Sequence, residues 1–253
     1  MSKNYLIYPC KTMRITQSYT GKTSHLPYST GTPKDFPVDE GCNDTGRDWC
    51  YCPCDEMIVK RIYGVNTNGV NSIFLESTSK VCLANGTTGY FSWLIIHPND
   101  DDLKKIKVGQ KFKRKEKICR EGNDGCTSNH FHFSVGKGKI KGNGWTKNNK
   151  GKYVLTVTDK AYKPEKAFYI DSSFTEVVDD KGLNFKKLPV YTTGTYKINS
   201  VTLKVRCGAG VENKAIGTLF KGKKITVEKV DGIWGEYAKG KWVSLKHCKK
   251  IKD

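Results

Sequence analysis

The chain has 253 residues, 37% of them hydrophobic and 27% charged, with 44 Lys+Arg against 25 Asp+Glu. That length supports one or two domains able to bury a core without covalent staples, and two is the working count. No apolar run approaches the roughly 20 residues of a membrane helix, which excludes a spanning helix, and the formal charge of +19 predicts a polyanionic partner without choosing which.

The N-terminal stretch Met1 to Pro9 lacks both an apolar core of about 7 to 15 residues and a small-residue cleavage site, so no signal peptide is expected. Short β-branched and aromatic runs then recur between Gly, Asn and Asp turns, at 57–63, 72–76, 90–97, 117–120, 131–135 and 153–158. This pattern predicts a mainly β protein. Residues 98–105 and 163–169 each carry at most a helical turn or two. From residue 171 polar residues accumulate, as in Asp179-Asp180-Lys181-Gly182, predicting a first domain over 1–170, a linker over 171–190 and a second domain over 191–253. The last of these holds 14 Lys+Arg and 5 Asp+Glu, a net of +9, and is the more densely basic part.

Ten cysteines without an export signal read as reduced thiols, so the fold should not depend on disulfides. Cys50-Tyr51-Cys52-Pro53-Cys54 with Cys42 offers thiolates for a zinc site, but C-x-C-x-C is not the C-x2-C knuckle and no second pair follows at finger spacing, which favours incidental thiols. The Pro-Cys-x-x-Cys of a zinc deaminase is also missing. Neither a groove-reading helix nor an aromatic RNA-binding motif accompanies the basic charge, so nucleic acid is not the expected partner.

The densest chemistry lies in Ser128-Asn129-His130-Phe131-His132-Phe133-Ser134-Val135. On a strand, residues i and i+2 share a face about 6.6 Å apart at about 3.3 Å per residue, while Phe131, Phe133 and Val135 face a core. Two imidazoles on one face suit a metallohydrolase, one ring holding a metal while the other reaches its water. Only five histidines occur, and His25 and His97 join the pair as candidates, with Asp39 as an oxygen ligand.

In this order the chain resembles the M23 family of zinc peptidases, the lysostaphin-like endopeptidases of peptidoglycan, over roughly residues 12–170. The matching segments are Arg14-Ile15-Thr16-Gln17-Ser18-Tyr19 leading to His25, Phe36-Pro37-Val38-Asp39, Leu94-Ile95-Ile96-His97, Val108-Gly109-Gln110, and the run Glu121-Gly122-Asn123-Asp124-Gly125 before His130-Phe131-His132. The resemblance implies an antiparallel β-sheet domain in which His25, Asp39 and His132 bind Zn2+ and His97 and His130 are catalytic. Three protein ligands would leave a position for a water whose pKa zinc lowers from about 15.7 to about 7. The family places its first His and Asp four residues apart, whereas His25 and Asp39 are fourteen apart, implying an inserted loop and leaving Asp35 as a rival ligand. Asp100-Asp101-Asp102 lacks the spacing of a calcium loop and reads as a solvated turn or helix start. Tyr19 is either an oxyanion donor or a residue packed on the sheet.

Residues 195–210, with Val201-Thr202-Leu203-Lys204-Val205-Arg206-Cys207-Gly208, resemble the opening of a bacterial SH3-like domain, and five short strands in about 60 residues should close a small barrel. Such modules bind the cell wall, and a basic one would suit anionic wall polymers; His247 is expected to have no catalytic part. The combination implies a peptidoglycan hydrolase of the phage endolysin type, held in the host cytoplasm until a holin opens the membrane. A bacterial autolysin and a non-enzymatic wall-binding or regulatory protein on a degenerate M23 fold are the alternatives. Scissile bond, host and oligomeric state are not specified by the sequence.

Overall fold

The structure, a computed structural model, describes residues 4–20, 38–41, 46–147, 153–157 and 160–252. The chain is mainly β with antiparallel sheets, and among the described residues the α-helices are the single turns Asp100–Leu103 and Pro164–Ala167. Its described residues divide into two compact units, one within 4–188 and one over 189–252.

The first unit is organised by a nine-stranded sheet. Its strands run, in spatial order, Val177–Asp179, Thr12–Ser18, Val38–Glu40, Phe131–Lys137, Phe91–Ile96, Ser72–Ser77, Glu56–Tyr63 and Lys111–Lys113, with Lys160–Tyr162 pairing alongside Phe131–Lys137. Strand Ser72–Ser77 is buried along its whole length and Phe91–Ile96 up to Ile95, which is why their sequences read as continuous apolar runs rather than alternating ones. Ile73, Leu75, Trp93 and Ile95 enter the main core. Phe74 and Leu94 form a smaller cluster under Ile140. Aromatic rings fill the main core edge to face, with Trp93 5.1 Å from Phe133 and Phe91 5.5 Å from Phe168; such pairs add about 0.5–1.5 kcal/mol to their area burial.

Two segments differ from the sequence reading. Residues 171–190, expected as a linker, are built into the first unit as far as Leu188: Val177–Asp179 pairs in parallel with Thr12–Ser18, and Phe174 and Leu188 pack with Ile7 and Tyr51. Polar composition hid this because a short edge strand needs few apolar residues. The N-terminal segment also carries buried Leu6, Ile7 and Tyr8. Its main chain bridges to Cys82, Tyr169 and Cys50, so backbone pairing rather than amphipathic pattern fixes it.

In the second unit, strands Lys224–Val227, Gly194–Ile198 and Cys248–Lys252 form one sheet. Ala215–Phe220, Thr202–Arg206, Lys241–Ser244, Trp234–Ala238 and Lys229–Asp231 form another. The two sheets share a core of Tyr196, Ile198, Leu203, Val205, Ile225, Val227, Val243 and Leu245.

Candidate active site

Strand Phe131–Lys137 is buried at Phe131, Phe133 and Val135, while His132 is half-buried. Alternation therefore sends the phenylalanines into the core and His132 to the opposite face. His130, just ahead of the strand, is held by a two-way main-chain bridge to Gly122, with His130 N–H donating to the Gly122 carbonyl at 3.0 Å. His97 follows the end of the neighbouring strand Phe91–Ile96, which pairs Ile96 with His132. The ring centroids of His97 and His130 are 4.6 Å apart, and those of His97 and His132 6.2 Å. Three histidines from two adjacent strand ends thus converge.

His97 adopts φ +81°, a left-handed conformation costing a non-glycine residue about 1–3 kcal/mol unless its surroundings over-determine it. They do so here. His97 N–H donates to the Asn71 carbonyl at 2.9 Å, Asp124 N–H donates to the His97 carbonyl at 3.3 Å, and His97 Nδ1–H donates to the Asp124 carbonyl at 2.7 Å. Asn71 N–H in turn donates to the Asp124 carboxylate at 2.6 Å. Gly122 completes the clamp, because a Cβ there would lie 2.2 Å from the His97 carbonyl oxygen.

These contacts set the tautomers. A carbonyl oxygen only accepts, so the Nδ1 atoms of His97, facing Asp124, and of His130, facing the Ser128 carbonyl at 2.9 Å, carry the proton, and Nε2 bears the lone pair. Both rings are thereby prepared for proton transfer or ligation through Nε2.

Behind the site, Arg47 binds the Glu121 carbonyl at 2.5 Å and the carboxylates of Asp101 at 3.1 Å and Asp102 at 2.7 Å, and Arg120 pairs with the same two acids. Asp102 is buried. The acidic triplet is therefore a helix start, as expected, with Asp101 exposed and only Asp102 buried beneath the two arginines, while Asp100 pairs with Lys104. Tyr19 is buried and donates to Glu165 Oε1 at 3.0 Å, which is the sheet-packed alternative; burial followed by that carboxylate raises its pKa.

Of the other site residues read from the sequence, His25 and Asp35 lie outside the described residues. Asp39 is described through its backbone, where it is the direct register partner of His132 across the antiparallel pair of Val38–Glu40 and Phe131–Lys137. Next to it, Glu40 is buried and receives the Tyr8 hydroxyl at 2.5 Å and the Arg14 N–H at 2.9 Å. Burial pushes its carboxyl up to about 8 against the pull of those hydrogen bonds.

Sequence reasoning passed over Asn71, Asp124 and Cys126. Asn71 acts through its main chain and Asp124 through both its main chain and its carboxylate, neither with a sequence periodicity, and Cys126 stood among ten thiols. Among the described residues, His97, Cys126 and His130 are the group whose ligand atoms lie within 4.8 Å of one another. The Cys50-Tyr51-Cys52-Pro53-Cys54 segment gathers no such group. Its Cys52 thiol donates to the carbonyls of Phe112 and Cys54, and no disulfide links the described cysteines. Cys42 lies outside the described residues.

The second unit carries an open groove of about 410 Å³, lined among others by Lys204, Arg206, Trp234, Lys246 and His247. It joins cationic groups and the Glu212 carboxylate to one aromatic wall.

No family model matches the chain. Among known sequences it is similar to Morphogenesis protein 1 of Bacillus phage B103, with 31% identity over 147 residues covering 55% of this chain and 34% of the relative. The chain thus spans about a third of that relative's length. Among solved structures it is similar to a zinc-containing peptidase from Vibrio cholerae, with 22% identity, 53% of this chain and 37% of the other covered, and a TM-score of 0.36. It is also similar to lysostaphin from Staphylococcus simulans, with 14% identity, 96% and 90% covered, and a TM-score of 0.33. No helix among the described residues is long and apolar enough to cross a membrane.

Proposed function

We propose that the chain is a zinc-dependent endopeptidase of Gram-positive peptidoglycan, cutting peptide bonds of stem peptides or cross-bridges, with residues 191–253 acting as an SH3-like wall-binding module. The observation that carries this reading is the convergence of His97, His130 and His132, with Asp39 in register with His132. His25, Asp39 and His132 would hold the metal, two imidazoles and a carboxylate being a donor set of open catalytic zinc sites. Bound there, zinc supplies a water acidified to near neutral pH and a Lewis acid for the carbonyl.

The remaining work falls to protein groups. With Nδ1 anchored on main-chain carbonyls, Nε2 of His97 or His130 takes a proton from the attacking water and returns one to the leaving amine. A protonated ring beside the carbonyl oxygen stabilises the charge developing there. The clamp of Asn71, Asp124 and Gly122 fixes His97 at no cost at the moment of reaction, since its strain is settled in folding. The basic groove of the second unit suits anionic wall polymers, and tethering raises the effective concentration of the enzyme on an insoluble substrate.

Phage lysis is the biological setting we assign, the chain acting as an endolysin released from the host cytoplasm. The likeness to a phage morphogenesis protein favours a second setting, a wall-cutting part of the virion. Mass spectrometry of purified particles separates them, because an endolysin is absent from the virion. The enzyme itself is tested by incubating the zinc-loaded chain with purified walls and measuring new amino groups. Release is expected, and a zinc-loaded chain that releases none from several defined wall types would be a non-enzymatic wall binder.

A further inference from the structure

Cys126 has no part in the chemistry proposed above, yet its thiol sits against the same imidazoles. It lies on the segment between Gly122 and His130, where its N–H closes a turn on the Asn123 carbonyl at 3.1 Å. Its Sγ is 3.7 Å from His130 Nδ1 and 3.4 Å from the Ser128 carbonyl. The group is half-buried, unlike Cys10, Cys50, Cys52, Cys54 and Cys119, which are enclosed in the core. Burial pushes the Cys10 thiol up to about 12, whereas Cys126 is within reach of a dissolved ion.

We propose that His97, Cys126 and His130 form a second metal site, selective for zinc-class divalent cations, whose occupation withdraws both catalytic imidazoles from the reaction. The geometry is close to what such an ion needs. Tetrahedral zinc with N at about 2.0 Å and S at about 2.3 Å holds its ligands about 3.3–3.6 Å apart, and here the three ligand atoms lie within 4.8 Å of one another. Side-chain rotation together with movement of the Cys126 turn closes the difference. A set of one thiolate and two imidazoles selects zinc, cobalt or copper over magnesium or calcium. Binding replaces the thiol proton, which leaves to solvent as the sulfur–metal bond forms, and His130, whose Nδ1 faces the sulfur, gives up its bond to the Ser128 carbonyl as its ring proton moves through solvent to Nε2.

The inhibitory consequence rests on the proposed peptidase reading, whereas the site does not. Cobalt(II) therefore serves as the probe, because a thiolate ligand gives it a sulfur-to-metal charge-transfer band that imidazole and carboxylate ligands do not. Titrating the full chain with cobalt should produce that band, and Cys126→Ser should abolish it while thermal unfolding shows the variant folded; magnesium should not displace the ion. Excess zinc should inhibit wall hydrolysis by the parent chain. Losing even an outer-shell partner costs about 10- to 100-fold in affinity, so inhibition of Cys126→Ser should need at least about 10- to 100-fold more zinc. A missing band, or one that survives in folded Cys126→Ser, overturns the second site. A Cys126-dependent band in a chain that hydrolyses nothing at any zinc level leaves the site standing and overturns the peptidase.

Discussion

The two units bury their strands to opposite degrees. In the first, Ser72–Ser77 is enclosed on both faces, and the site is carried on strand ends and short bridges anchored to that rigid sheet. In the second, Ala215–Phe220 is exposed at five of six positions, with Phe220 64% accessible, beside a small core running from Tyr196 to Leu245. Proton transfer needs imidazoles held within fractions of an ångström, which a doubly covered sheet supplies. On the proposed reading, gripping a wall polymer would call for exposed area and charge, and the second unit offers both.

The sharpest way to break this contrast is at the histidines. His97→Ala and His130→Ala should each lower wall hydrolysis by about 100- to 10,000-fold and retain zinc, whereas His132→Ala should lose the metal as well; metal analysis beside an amino-group assay checks this, and activity retained in His97→Ala would reassign its role. Next, Gly122→Ala should cost about 100-fold in activity, because the added Cβ would lie 2.2 Å from the His97 carbonyl and shift that ring by about an ångström. Retention on walls should be unchanged in the same variant.

The stability of the first unit should depend on Glu40. Its carboxyl is raised from 4.5 to about 8 in the folded chain, so the folded state holds a proton that the unfolded state has lost between those values. Stability therefore falls as pH rises through that window, by an amount on the order of a few kcal/mol. In Glu40→Gln the difference between melts at pH 5 and pH 8 should shrink, and an unchanged slope would show that another group titrates. In the second unit, Gly235→Ala should cost about 1–3 kcal/mol by overpacking, since its Cβ would lie 2.8 Å from both Leu245 and Val227. It should weaken wall retention while leaving hydrolysis of a short soluble peptide intact. The smallest effect concerns salt. Wall retention of the inactive His97→Ala chain should fall steadily as ionic strength rises, because exposed charges are screened beyond about 8 Å at 0.15 M.

Local chemistry made much of this legible in the sequence. Alternation in 131–135, the apolar runs at 72–76 and 90–97, and the polar turns between them specify strands by side-chain period and turn propensity alone, and the structure has strands at each. The His130-Phe131-His132 spacing likewise places His132 opposite the phenylalanines by the strand period. What the sequence could not carry is pairing. That Val177–Asp179 joins the first sheet, that Asp39 stands opposite His132, and that Asp124 and Asn71 hold His97 at φ +81° all depend on main-chain hydrogen bonds between segments distant in the chain. Main-chain pairing of this kind leaves no side-chain period to read, and the side-chain parts of the clamp, the Asp124 carboxylate and the His97 imidazole, come from segments distant in the chain; only folding, by bringing Gly122 and Cys126 against two imidazoles, decides which residues share a site.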